Sequence, residues 1–254
     1  MYLPPIQPAP LGEEASGGYS YGAALFRGDV AALPGVLALL RGIRFSGWIA
    51  PQRDGWTVVL GDPGDGVVAR DRRGVIEVGA LIADELGMPV LAARVRGDRQ
   101  LSIVGWRGPE EIGRYCSDPA NEPGADDDVL AEPFGSEHAE AIAHLWGRAD
   151  AAEELAELLE EDLDPDSVFE SERLGSVLRL LGMPRWIVGA GELPRDIPTG
   201  PRARELVRLR AGRTGLAGRL ANVFRRRWRR RQTPPAVIAD PPTGSTTGFE
   251  PWML

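Results

Sequence analysis

Apolar residues recur along this chain with two spacings, and the spacing changes mark out the expected elements. Around Pro34 to Leu40, the residues Ala31, Leu33, Val36, Leu37, Ala38 and Leu40 supply an apolar surface. They predict a first helix, with Pro34 near its start and Gly42 at its end. Two strand-like runs follow, Phe45 to Ala50 and Trp56 to Leu60. Asp54 and Gly55 between them have the chemistry of a tight hairpin turn. Within Gly74 to Leu86, Val75, Val78, Ile82 and Leu86 are three or four residues apart and Gly87 follows, which predicts an amphipathic helix with a glycine stop. Pro89 to Val95, Leu101 to Trp106 and Glu110 to Tyr115 are short β-branched-rich runs joined through Gly97 with Asp98 and Arg107 with Gly108. They predict an antiparallel three-strand meander.

Beyond Ser117 the pattern changes. A polar, acidic stretch to Asp128 reads as a loop, and helical spacing then takes over. Ser136 is placed to cap a helix reaching about Trp146. Asp150 and Glu153 have capping-box spacing ahead of Leu155, Leu158 and Leu159, and a third helix is expected over Ser171 to Leu181, stopped by Gly182 and Pro184. The expected fold class is α+β, a β-β-α-β-β-β antiparallel sheet unit followed by a C-terminal helical subdomain and a basic amphipathic segment. The expected organisation is a flexible leader over 1–15, an α+β domain over 16–128, a helical subdomain over 129–200, a basic amphipathic segment over 201–232 and a disordered tail over 233–254.

Composition narrows the classes. One cysteine among 254 residues excludes a disulfide scaffold and a multi-thiolate zinc site, and two histidines leave little for a histidine metal centre. The apolar run Val30 to Leu40 is too short to span a bilayer, and Met1 to Ala15 has no basic residue and no apolar core of a secretory signal, so the expected compartment is the cytoplasm. The net charge of −8 is unevenly spread: residues 1–200 carry −17, whereas 202–231 hold twelve Arg against the single acid Glu205. An acidic body thus carries a basic segment.

Several local patterns invite chemistry. Gly61, Asp62, Pro63, Gly64, Asp65 and Gly66 lie where a phosphate cradle would lie, but they match no nucleotide fingerprint and contribute two carboxylates, so an ordinary turn is expected. Cys116 ends the last strand beside acids, which suits a half-buried core residue better than a nucleophile. His138 and His144 are six apart and point to different helix faces, so no metal pair is expected. The acidic run with Asp118, Asp126, Asp127 and Asp128 lacks the order of a calcium loop and reads as a solvated loop or a docking surface for a basic partner. Trp48, Trp56 and Trp106 fall in strands and are expected in the core. On a helix from Leu216 to Arg231, Leu216, Leu220, Val223, Phe224 and Trp228 would share one side, opposite Arg225, Arg226, Arg227, Arg229, Arg230 and Arg231. Such a helix can lie on an anionic membrane, grip nucleic-acid phosphates, dock on an acidic protein, or pack on its own acidic body. Trp252 sits in a compact apolar terminus with Phe249, Met253 and Leu254 that suits a partner's groove.

The stretch from Gly55 to Pro119, with "GWTVVLGDP" before the helix and "PVLAARVRGDRQLSIVGWRGPEEIGRYCSDP" after it, resembles uncharacterised actinobacterial proteins that place a Trp-starting strand, a helix and a three-strand meander in this order. In fold and charge such proteins are similar to immunity proteins, which neutralise toxins by binding them. The resemblance implies no activity and no catalytic residues. No catalytic constellation and no cofactor motif emerges from the residues, so the expected function is a cytoplasmic protein-binding or regulatory role through the acidic α+β surface, with an unidentified protein partner. Candidate partner-binding residues are Asp118, Asp126 to Asp128, Phe224 to Arg231 and Trp252. The rivals are a metal-dependent enzyme built on carboxylates such as Asp62, Asp65 and Asp118, and a peripheral membrane or nucleic-acid protein acting through the arginine segment.

Overall fold

A computed structural model describes residues 20–28, 33–64, 66–122, 129, 132–161, 169–197 and 199–213. The chain runs β1 (Tyr21–Arg27), α1 (Leu33–Gly42), β2 (Gly47–Ile49), β3 (Trp56–Gly61), α2 (Val75–Leu86), β4 (Pro89–Arg96), β5 (Gln100–Arg107), β6 (Glu110–Cys116), α3 (Ala139–Leu145), α4 (Ala152–Glu160), α5 (Glu170–Leu180) and β7 (Val207–Leu209). Helices combine with one antiparallel sheet of seven strands, in the order β6-β5-β4-β1-β3-β2-β7, so the fold is α+β.

The hairpin and the meander form as the spacing predicts. Asp54 (φ 51°) and Gly55 (φ 79°) make a two-residue turn, and Arg53 and Trp56 exchange backbone hydrogen bonds of 3.0 and 2.8 Å across it. Both central residues have positive φ, the geometry whose twist matches that of the flanking strands. Gly87 ends α2 in the left-handed conformation, as expected of a glycine stop.

Two strands were not foreseen. β1 is the central strand, paired with both β4 and β3, and its first six residues are buried. It therefore shows no alternation of polar and apolar positions, and its Gly22, Ala23 and Ala24 carry little β propensity. The small residues serve packing instead. A Cβ on Gly79 of α2 would stand 2.8 Å from the Ala92 methyl and close to Ala24, so glycine and alanine together let α2 lie close on the sheet. β7 lies in the stretch that charge alone assigned to the basic segment; it pairs with β2, and Gly212 then donates its amide to the Phe45 carbonyl at 2.7 Å.

Each sheet face covers its own core. Ala24, Phe26, Val59, Val90, Ala92 and Val104 meet α1 and α2. Tyr21, Leu25, Leu60, Leu91, Leu101 and Ile103 meet α3, α4 and α5, so these three helices share one continuous core with the sheet. Trp48, Trp56 and Trp106 are buried as expected, and Trp56 lies 5.1 Å from Trp146 of the helical layer.

Two expected caps are replaced. A 3₁₀ turn over Ser136–His138 precedes α3, and no side chain caps it. Asp150 lies in a 3₁₀ turn before α4 and forms an ion pair with Arg148 at 3.1 Å, so the capping box with Glu153 does not form. A nearby guanidinium outcompetes a backbone amide for an exposed carboxylate. Among the described residues no helix is long and apolar enough to cross a membrane.

Candidate functional site

Helix α4 carries two stripes. Leu155 and Leu159 are buried against the sheet side, while Glu154 and Glu157, and Glu161 just past the helix end, are exposed along the opposite side. α5 lies beside it with Leu174, Val177, Leu178 and Leu180 in the core, while Ser176, Arg179 and the edge of the buried Leu180 border α4. Between the two helices opens a cleft of about 350 Å³ lined by Glu154, Glu157, Leu158, Glu161, Ser176, Arg179 and Leu180. Glu154 and Arg179 bridge it at 2.9 Å. Glu157, Glu160 and Glu161 crowd the C-terminal end of α4, whose last turn holds no basic residue. Carboxylates there face the negative end of the helix dipole, an arrangement that disfavours the free helix by roughly 0.3–1 kcal/mol per charge and favours a cation from outside.

A buried guanidinium holds this cleft in shape. Arg173 of α5 is 3% exposed; it donates to the Glu161 carbonyl, one of the carbonyls left over at the end of α4, and to the Tyr115 hydroxyl. Its Nε stands 3.7 Å from Oε2 of Glu170, and burial pushes the Glu170 carboxyl up despite the opposing Arg173 charge. Burial likewise pushes the Tyr115 phenol up to about 12. The Asp98 carbonyl and carboxylate accept the Glu170 and Ser171 amides, which anchors α5 to the β4–β5 turn. The two helices that frame the cleft are thus fixed to each other and to the sheet.

A second cluster lies beyond β6. Arg94 pairs with Glu122 at 2.5 and 2.6 Å, Ser102 donates to Glu122 at 2.7 Å, and the Cys116 thiol lies 3.6 Å from the same carboxylate. Burial raises the Glu122 carboxyl, but the Ser102 and Arg94 hydrogen bonds and the Arg94 charge outweigh it and hold the group below its usual value. Burial pushes the Cys116 thiol up, and the Glu122 charge adds to the effect. A thiol so placed is a poor nucleophile, in line with the core role expected for it. The cluster clamps the start of the acidic loop, with Gln100 donating to the Asp118 carbonyl at 2.5 Å.

The glycine-rich turn after β3 borders a cavity of about 170 Å³ together with Trp48, Ser20 and Tyr21. Asp62 there pairs with Arg208 at 2.9 Å, and the Arg208 guanidinium lies 4.2 Å from the centre of the Trp48 ring, so this carboxylate serves to hold β7 in place. Asp62 follows β3 and Asp118 follows β6, and β1, β4 and β5 lie between those strands. At ~4.8 Å per strand that separation is far beyond the reach of one metal ion. Among the described residues no group of His, Cys, Asp or Glu could hold a metal. His138 instead meets the Arg114 carbonyl at 2.9 Å through Nδ1.

Of the candidate partner-binding residues, Asp118 lies in the described loop start. Asp65, Asp126 to Asp128, Phe224, Arg225 to Arg227, Trp228, Arg229 to Arg231 and Trp252 lie outside the described residues, as do the expected leader and tail. Comparison with family models, curated proteins and solved structures finds no match. Sequence reasoning missed the α4 carboxylates, although their spacing over Glu154, Glu157 and Glu161 was visible. It missed Arg173 because an arginine in an amphipathic helix gives no sign that it is buried.

Proposed function

We propose that this protein is a binding or regulatory protein that recognises a cationic protein partner at the α4–α5 cleft. The observation that carries this reading is the line of exposed carboxylates at the C-terminal end of α4, beside a cleft floored by Leu158 and Leu180 and without a basic residue in that last turn. Carboxylates over an apolar floor suit arginine and lysine, which lay their aliphatic stems on apolar surface and extend their charge to the rim. The −17 charge of residues 1–200 would steer such a partner from a distance. An immunity-like role, in which the partner is neutralised by being bound, belongs to the same proposal.

The full-length chain, immobilised as bait in a lysate of its native cells, tests it. The expected result is a basic protein retained at low salt and reduced about tenfold on an E157Q/E161Q bait, a loss of ~1.4 kcal/mol in affinity. Both changes are at exposed positions, so the bait's thermal midpoint should stay within a degree or so. Identical capture by both baits, or no capture by either, overturns the proposal.

A further inference from the structure

We propose that Glu170 is a proton-operated switch on the α4–α5 cleft. With its proton it leaves Arg173 bonded to the end of α4; without it, it draws the guanidinium to itself and slackens that hold. This rests on the reading of the cleft as the binding surface and names how that surface is regulated.

The inner side of α5 holds an unfinished ion pair. Glu170 and Arg173 are 5% and 3% exposed, and Oε2 of one stands 3.7 Å from Nε of the other. Neither atom has a hydrogen-bond partner. Both are sealed from water, so an ionised Glu170 gains a charge-assisted hydrogen bond by closing that gap. A protonated Glu170 gains far less. The rest of the guanidinium is committed elsewhere, to the Glu161 carbonyl and the Tyr115 hydroxyl.

The start of α5 is pinned. The Glu170 amide donates to the Asp98 carbonyl at 3.2 Å, the Ser171 amide to the Asp98 carboxylate at 2.8 Å, and the Tyr21 hydroxyl to Ser171 Oγ at 3.0 Å. Ser117 also hydrogen-bonds the Glu170 side chain. The longer Arg173 side chain is therefore the partner that shifts when the gap closes. Glu161 follows the last residue of α4 and lines the cleft, so a shift of the group that holds its carbonyl reaches the cleft rim directly.

Among the described residues, the charges that face Glu170 are Arg173 on its own helix, Asp98 from the β4–β5 turn and Asp118 from the loop after β6. The neighbouring phenols, Tyr115 of β6 and Tyr21 of β1, are both pushed up by burial and stay neutral. Burial, with the Asp98 and Asp118 charges adding to it, outweighs Arg173 and Ser117 and holds the Glu170 carboxyl above its usual value. The hold on α4 is thus complete on the acid side of that raised value and slackens as pH rises through it.

NMR titration of the full-length protein from about pH 4 to about pH 9 tests this. The expected result is that the Glu170 side-chain carboxyl carbon titrates above ~4.3, and that Arg173 Nε and the Glu161 amide move with the same midpoint. Hydrogen exchange at Leu159 to Glu161, corrected for its intrinsic pH dependence, should become about tenfold faster across that midpoint. In E170Q the Arg173 and Glu161 signals should stay at their acid-side positions and the exchange step should vanish. A Glu170 midpoint at ~4.3, Arg173 and Glu161 signals that do not follow the Glu170 carboxyl, or the same movement in E170Q each overturns the proposal. Coincidence of the midpoints is read in the unaltered chain, so the test stands even where E170Q fails to fold. The titration uses the purified chain alone. Failed capture from a lysate with coincident midpoints therefore strikes the partner reading, and the reverse strikes only this proposal.

Discussion

Arg173→Ala is expected to destabilise the protein by about 3–5 kcal/mol, the cost of leaving a buried carboxylate without its cation. Arg173 and Glu170 are 3% and 5% exposed, so little water could take over the lost role. For a body of this size that loss corresponds to a fall in thermal midpoint of roughly 6–20 °C. Arg173→Met combined with Glu170→Gln should recover much of it, because a pair replaced together leaves no orphaned charge. The pH dependence has a definite sign. Burial raises the Glu170 carboxyl in the folded state, so the folded chain holds this proton more tightly than the unfolded one. Its contribution to stability is therefore fully present below the ordinary glutamate value of ~4.3 and is lost as pH rises through the raised folded value. Glu170→Gln should remove that slope, and the deficit of Arg173→Ala should be smaller at pH 5 than at pH 8. Denaturant titrations at the two pH values measure both. A deficit equal at both pH values, or larger at pH 5, would show that the pair is not coupled in this way.

Phe26→Ala should cost a comparable 3–5 kcal/mol. Phe26 is fully buried in the central strand, packed in the core with Val36, Leu40 and Val90, and β1 is the strand through which both halves of the sheet are joined. Removing the ring leaves a cavity in a layer whose backbone is fixed by pairing on both sides, so collapse cannot fill it. Arg27 at the exposed end of the same strand gives the contrast: Arg27→Ala loses a guanidinium 5.1 Å from the Trp56 ring and should cost about 1 kcal/mol or less. Equilibrium unfolding of the two variants decides the matter. Similar small losses would mean that β1 is not integral to the core.

The same strand shows where the sequence is and is not legible. α2, the Asp54–Gly55 hairpin and the meander β4 to β6 are amphipathic or turn-bounded, and their spacing reports one solvent face and one core face. β1 has no solvent face over its first six residues, so period and propensity are both silent. β7 is a three-residue edge strand in an arginine-rich stretch, held by Asp62 just after β3 and by Trp48 of β2, and only tertiary pairing reveals it. Asp150 had the right spacing for a cap, but Arg148 claimed its carboxylate. For the cleft, the Glu154, Glu157 and Glu161 stripe was readable one helix at a time. Which face of α5 meets α4 was not, because it depends on Arg173 lying inside.

If the α4–α5 cleft, rather than the acidic body at large, receives cations, an arginine peptide binds at one place on the surface. The most direct test titrates a short hexa-arginine peptide into the ¹⁵N-labelled full-length protein and follows backbone amide shifts. Saturable shifts are expected, concentrated at Glu154 to Glu161 and Ser176 to Leu180, weakened by salt and lost in E157Q/E161Q. Shifts spread equally over exposed acids elsewhere, such as Asp84 and Glu85 on α2 or Glu110 on β6, would contradict it.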